Sequence, residues 1–208
     1  MRYIKRLPNL IAYYPMQEVE GTVCRNYAPA TRGSLNGVIG GTVSLGNPGK
    51  VGRCYRFNST NGQMVSIANN SLLDISGKIS YIALLNLHST GSFAGRIFDK
   101  ASNLILYNGS YQQQNNGFVA LSNSKSVDTD YMLCSSYDQT NVNFYVNGVL
   151  DKAVACTTNP QVNTTQMTLG NRSDGIRAAD GALSHQAILS AALTPEQSRR
   201  IARIAGLI

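Results

Sequence analysis

An all-β fold, a sandwich or barrel of many short strands, is predicted by three features of this 208-residue chain. Apolar residues recur with a period of two. Turn dipeptides rich in Asn and Gly punctuate the chain. Only 14% of residues are charged, and 19 are glycine, a composition that suits strands and turns. The elements follow in order. Tyr55 and Phe57 share one face of a strand, with Arg56 between them on the other. Residues 79–85 are apolar at nearly every position, as in a strand covered on both sides. Further strands are expected at 104–107, 117–122, 131–137, 165–169 and 182–189. Val142, Phe144 and Val146 alternate with Asn143, Tyr145 and Asn147, so one face of that strand is buried and Asn147-Gly148 turns the chain back. Other turn signals are Asn36-Gly37, Asn47-Pro48-Gly49, Asn61-Gly62, Asn108-Gly109, Asn116-Gly117 and Asp174-Gly175. One helix is expected near the C-terminus. Thr194 caps it, Pro195 opens it, Gln197 completes a capping box, and Ile201 and Ile204 begin an apolar stripe. A helical turn is expected near Ser71–Leu73. No repeat or linker divides the chain, so residues 11–208 are expected to form one domain preceded by a basic arm, residues 1–10.

Charge sits at the ends. Arg2, Lys5 and Arg6 lie among the first ten residues, and Arg199, Arg200 and Arg203 among the last ten, leaving 12 of the 18 basic residues and all 11 acids between them. Both ends are therefore expected to anchor the chain on an acidic partner. No basic stripe with interleaved aromatics runs through the body, which argues against nucleic acid as the main ligand. No run approaches the ~18 apolar residues of a membrane span. The first fifteen residues lack the apolar run and small-residue cleavage site of a signal peptide. Cys24, Cys54, Cys134 and Cys156 match no zinc spacing and are expected to be free thiols.

Four segments together resemble the laminin G-like, concanavalin A-like jelly-roll family. Residues 11–18 (IAYYPMQE) with Gly21-Thr22 resemble its opening strand, with Tyr14 where Trp is usual. Residues 48–52 (PGKVG), Phe57-Asn58 and 64–67 (MVSI) are the most specific match. Asp130-Tyr131, Tyr137-Asp138 and residues 144–149 (FYVNGV) resemble the strand pair ending in an aromatic-Val-Asn-Gly turn. Leu169-Gly170-Asn171, residues 180–183 (DGAL) and 193–197 (LTPEQ) resemble the closing strands and last segment. The resemblance covers residues 11–200 and implies an antiparallel two-sheet jelly-roll sandwich with one short C-terminal helix. The chain departs from the family in having no Trp, in Asn58 for a frequent Asp, and in Ser184-His185 where an acid is common. Some relatives hold calcium with loop oxygens. Here Asn26, Asn58 and Asp138 are the candidate ligands, although the loss of acids weakens such a site.

Related glycoside hydrolases need two carboxylates flanking the sugar bond, and the endoglucanases carry them in a Glu-x-Asp-x-x-Glu strand. This chain has three Glu, at 18, 20 and 196, and none forms that motif. Asp128 and Asp130 read as the turn before a strand, and His88 and His185 as surface or structural residues. The chain is expected not to be an enzyme. Two binding roles remain. The loop 107–116, with Tyr107, Asn108, Tyr111, Gln113 and Asn115, and the loop 171–177, with Asn171, Arg172 and Asp174, are candidate glycan sites because they combine aromatic rings with amides and charges. Stand-alone domains of this kind also resemble bacteriophage virion proteins, such as head decoration or fibre subunits. That implies a homo-oligomer located in the virion, capsid or other virion proteins as partners, and a host surface glycan facing the outer loops.

Overall fold

The computed structural model describes every residue except 61, 90–94 and 102, and leaves out the side chains of residues 104 and 106. The expected Asn61-Gly62 turn therefore lies partly outside the described residues. In chain order the strands are β1 (Leu10–Tyr14), β2 (Val23–Cys24), β3 (Gly37–Gly40), β4 (Ser44–Pro48), β5 (Arg53–Asn58), β6 (Met64–Ile67), β7 (Ile79–Leu87) and β8 (Gly95–Lys100). They continue as β9 (Asn103–Tyr107), β10 (Ser110–Asn115), β11 (Phe118–Ser124), β12 (Tyr131–Tyr137), β13 (Asn141–Val146), β14 (Val149–Ala155), β15 (Met167–Leu169) and β16 (Asp180–Leu189). Helix α1 (Pro195–Ile204) closes the chain.

The strands form two antiparallel eight-stranded sheets. The first runs β14-β13-β12-β7-β16-β5-β4, with β1 also paired to β16. The second runs β11-β10-β9-β8-β15-β6-β3-β2. This is the jelly-roll sandwich implied by the resemblance. Between the sheets, alternate residues bury a core rich in rings: Tyr55, Phe57, Tyr81, Phe98, Tyr111, Tyr137 and Phe144. These aromatics fill the interior of a chain that has no Trp.

The outer face of the first sheet carries a second core. Ile82, Leu84, Met132, Cys134 and Tyr145 point outward there and are covered by Leu193, Ile201, Ala202 and Ala205 of the C-terminal segment. The predicted capping box forms: Thr194 Oγ1 accepts from Gln197 N, and Gln197 Oε1 accepts from Thr194 N. The Asn147-Gly148 turn seats the helix. A side chain at Gly148 (φ +76°) would place its Cβ 2.7 Å from the Cα of Arg199, so only glycine allows this approach.

The first ten residues are not an arm ahead of the fold. A 3₁₀ turn at Ile4–Arg6 buries Ile4, and Leu7 and Leu10 follow it into the same second core. Their spacing of three puts them on the one face that turns toward the sheet, while Arg2 and Arg6 stay exposed. The four cysteines are buried and unpaired.

Candidate functional site

Helix α1 and the N-terminal turn cover only part of the first sheet's outer face. Beside them lies an open groove of about 370 Å³. Strand register explains it. Arg56 of β5 pairs with Ala182 of β16, which pairs with Asn86 of β7, so the three side chains form one row across the sheet. In the next row Ser184 of β16 pairs with Leu84 of β7. The middle strand thus contributes only small side chains, and larger neighbours stand on either side. The turn Pro48-Gly49-Lys50, closed by a Gly49 N to Gly52 O hydrogen bond of 2.9 Å, walls one end above Cys54. Asp130, in the loop before β12, walls the other.

The polar groups of the groove are held in place. Asn86 Nδ2 donates to Asp130 Oδ1 at 3.0 Å. Asn86 Oδ1 is buried and, among the described residues, has no hydrogen-bond partner. His88 Nδ1 lies 2.6 Å from Asp128 Oδ1. With its proton on Nδ1, His88 donates to Asp128, and its Nε2 faces the Arg56 guanidinium across a long 3.5 Å contact. The carboxylate thus fixes the ring, and the ring sits behind the arginine. Asp128 and Asp130 lie before a strand, as expected. Burial pushes the Cys54 thiol above its usual range, and its Sγ is 3.3 Å from the carbonyl of Pro48, so it stays a thiol.

Five of the expected glycan-contacting residues lie elsewhere, in the interior. The segment 107–116 is the strand β10 with a tight turn at each end, not a loop, and one face of the strand is buried. Tyr107 and Tyr111 pack ring to ring at 5.4 Å and are 3% and 1% exposed. Gln113 and Asn115 point the same way by alternation. Gln113 Oε1 accepts from Ser135 Oγ at 2.5 Å, Gln113 Nε2 donates to Asn115 Oδ1, and Asn115 Nδ2 donates to the carbonyl of Thr158. Asn171 is also fully buried. Its Nδ2 donates to Gln63 O and Gly175 O, while its Oδ1 accepts from the backbone of Arg172 and Arg177. Asn115 and Asn171 thus satisfy backbone that strands leave unpaired, and Gln113 links Asn115 to Ser135. Asn108 stays exposed, and Arg172 and Asp174 form a partly exposed ion pair.

The three calcium candidates use their oxygens locally. Asn26 Oδ1 accepts from Tyr13 N and Ala28 N, and Asn58 Oδ1 accepts from Thr60 N. Burial would raise Asp138, but hydrogen bonds from Thr140, Asn141 and Asn143 outweigh it and hold the carboxyl below its usual range. No group of three or more His, Cys, Asp or Glu suited to a metal occurs among the described residues.

The two basic ends of the chain touch at Arg200 and Tyr3. Arg200 stacks over the ring of Tyr3 at 4.5 Å, and Lys5 Nζ lies 4.7 Å from the ring centre of Tyr27. Arg199, Arg200 and Arg203 line a shallow groove of about 570 Å³ with Glu196 and Ile204. The sequence treats the two ends as separate; packing of the 3₁₀ turn and α1 on one sheet face joins them.

Sequence reasoning missed the groove on the first sheet. Its residues come from β5, β7, β16 and two turns, and the one local signal was a strand, 180–189, with Ala182 and Ser184 at successive outward positions.

No curated protein matches the chain. Among solved structures it is similar to the binding domain of Paraclostridial Mosquitocidal Protein 1, with TM-score 0.76, 11% identity, and coverage of 96% of this chain and 52% of that one. It is similar to domain 4 of an extracellular arabinanase from Geobacillus stearothermophilus in complex with arabinotriose, with TM-score 0.72, 18% identity, and coverage of 93% and 98%. It is also similar to Trypanosoma rangeli sialidase, with TM-score 0.69 and 10% identity, over 94% of this chain and 33% of that one. The chain thus spans about half of the first and a third of the sialidase, and these likenesses concern the fold. Residues 59–197 match the laminin G family model described as the concanavalin A-like lectin/glucanases superfamily, and with that match over more than half its length the chain belongs to this family.

Proposed function

We propose that the chain is a non-catalytic carbohydrate-binding module whose ligand lies in the groove across β5, β16 and β7. The observation that carries this is the convergence of donors and acceptors on one small concave floor. Lys50 and Arg56 donate, while Asp130, held by Asn86 Nδ2, accepts, around Leu84, Ala182 and Cys54. A sugar hydroxyl both donates and accepts, and a site of this mixed lining suits it. The arabinotriose complex of the similar arabinanase domain supports the same class of ligand. The histidine–carboxylate pair is half of a nucleophile-activating relay. Its free nitrogen faces a guanidinium, and the groove's thiol is held protonated, which supports binding rather than turnover.

A glycan array probed with the purified chain tests the reading. Binding to a restricted set of glycans is expected, with about tenfold loss for Arg56→Ala and for Asn86→Ala and no cleavage of the bound glycan. An array without hits, or variants that bind unchanged, would overturn it.

The arginine-lined groove of α1 favours a second role, docking on an acidic protein surface. A sister subunit or a virion shell component such as a capsid or fibre protein would fit, since arginine forks pair well with carboxylates. Light scattering at low and high salt tests this. A salt-sensitive oligomer that Arg199→Glu/Arg200→Glu/Arg203→Glu dissolves is expected; a salt-insensitive monomer would remove the sister-subunit form of the idea.

A further inference from the structure

We propose that the pocket formed by residues 69–74 and 163–165 at the end of β8 is a calcium-type cation site whose resident cation is the ammonium of Lys100.

Lys100 is 5% exposed, and its charge needs partners to be tolerated there. Its Nζ donates to Asn69 Oδ1 at 2.9 Å, Asn163 O at 3.0 Å and Thr165 O at 2.9 Å. Those three bonds use all three N–H groups. Two further oxygens complete the shell: Asp74 Oδ1 at 3.2 Å and Asn163 Oδ1 at 3.5 Å. Among the described residues the buried Asp74 oxygen has no hydrogen-bond partner, and the ammonium charge beside it compensates it. Two backbone carbonyls, two amide oxygens and one carboxylate are the hard oxygen set that calcium takes. The shell is about 0.5 Å wider than calcium's, as an N–H···O distance requires. One carboxylate against one ammonium also leaves the site neutral.

The arrangement has a structural task. The stretch between β14 and β15 lies outside the ladders of both sheets among the described residues, and it is tied down from β8 and β9. Asn163 Nδ2 donates to Lys100 O, and Asn103 exchanges hydrogen bonds with the backbone of Gln161 in both directions. The shell oxygens come from segments far apart in sequence, and the cation joins them. A tethered ammonium does so without depending on free metal. The pocket lies at a strand end of the second sheet, apart from the sugar groove on the first, and its test does not depend on that groove.

Thermal unfolding of the full chain tests the proposal. Lys100→Ala should lower Tm by roughly 10 °C in chelator, as expected for uncompensated loss of a buried charge partner. Calcium at about 10 mM should restore at least half of that loss, because one carboxylate gives only millimolar affinity, and magnesium, which demands a tighter octahedron, should not. Lys100→Met keeps the stem in the shell and should stay destabilised with calcium present. Equal recovery of both variants, or no recovery of Lys100→Ala, would overturn the assignment. Should Lys100→Ala fail to fold, Asn69→Asp in the otherwise intact chain carries the test. A second carboxylate beside the ammonium should raise Tm at pH 7 by a few degrees, and a fall would count against a cation site.

Discussion

The hydroxyl of Tyr13 donates to Nδ1 of His185 at 2.6 Å, while Nε2 of the same ring lies 3.1 Å from the carbonyl of Val51. A carbonyl only accepts, so Nε2 carries the proton and Nδ1 is the acceptor. The ring is therefore neutral in the folded chain. Burial pushes its pKa down to about 4; the bond to Val51 opposes this, and the N-terminal ammonium adds to it. His185 also sits at φ +49° in a bulge of β16, the left-handed region that Asn tolerates better than most residues.

The sign of the pH dependence follows. Below about pH 6.5 the unfolded chain protonates this histidine, while the folded chain does not until about pH 4. The unfolded state binds more protons across that window, so stability is lost as the pH drops from 6.5 to 4, by up to about 3 kcal/mol. Asp99 works the other way, since burial raises its carboxyl to about 6 against the pull of Arg96, and folding keeps its proton longer. The readout is therefore the difference between chains. His185→Asn should lose less stability than the wild type between pH 6.5 and 4 in urea titrations. Parallel pH profiles would show that His185 is not the acid-sensitive group.

Asp128 acts on the groove through His88. Both side chains are largely exposed, 66% and 43%, and such a pair adds little to stability. Asp128→Asn should leave Tm within a degree or two. It should free the ring and the Arg56 guanidinium and weaken glycan binding about three- to tenfold, read by calorimetry on a glycan from the array. Unchanged affinity would show that the carboxylate does not position the site.

Tyr111 and Asn108 separate a fold residue from a surface one. Tyr111 is buried between Tyr107 and Tyr131, so Tyr111→Ala should cost about 3–5 kcal/mol. Exposed Asn108→Ala should stay near ±0.5 kcal/mol. Chemical denaturation measures both. A Tyr111→Ala chain of normal stability with impaired sugar binding would return the site to this strand.

These contrasts show what the sequence made readable. Alternation at Val142, Phe144 and Val146, the Asn147-Gly148 turn and the Thr194–Gln197 capping box depend on residues close in sequence, and each is found where it is predicted. Gln113, Asn115 and Asn171 were not readable, because an amide-rich stretch looks the same whether its amides meet solvent or bind other polar groups in the interior. The groove was hidden for another reason. Arg56, Asn86, Asp130 and Ala182 become neighbours only through strand register, and nothing local announces that β16 narrows to Ala182 and Ser184.

Residues 1–10 give the last contrast. Their charges read as an arm, yet Ile4 and Leu7 are 0% and 5% exposed, in the same buried cluster as Ile201, Ala202 and Ala205. Burying two such side chains contributes about 3–6 kcal/mol, so deleting residues 1–7 should lower Tm by roughly 10 °C or more. It should also loosen α1, whose Arg200 would lose the ring of Tyr3. Charge reversal at Arg2, Lys5 and Arg6 in the full-length chain should leave Tm nearly unchanged, because Arg2 and Arg6 face solvent and Lys5 rests against the ring of Tyr27. Together the two variants separate the segment's roles: a truncation that melts like the wild type would restore the free arm, and a charge-reversed chain that melts early would place the basic side chains, rather than Ile4 and Leu7, at the centre of the packing.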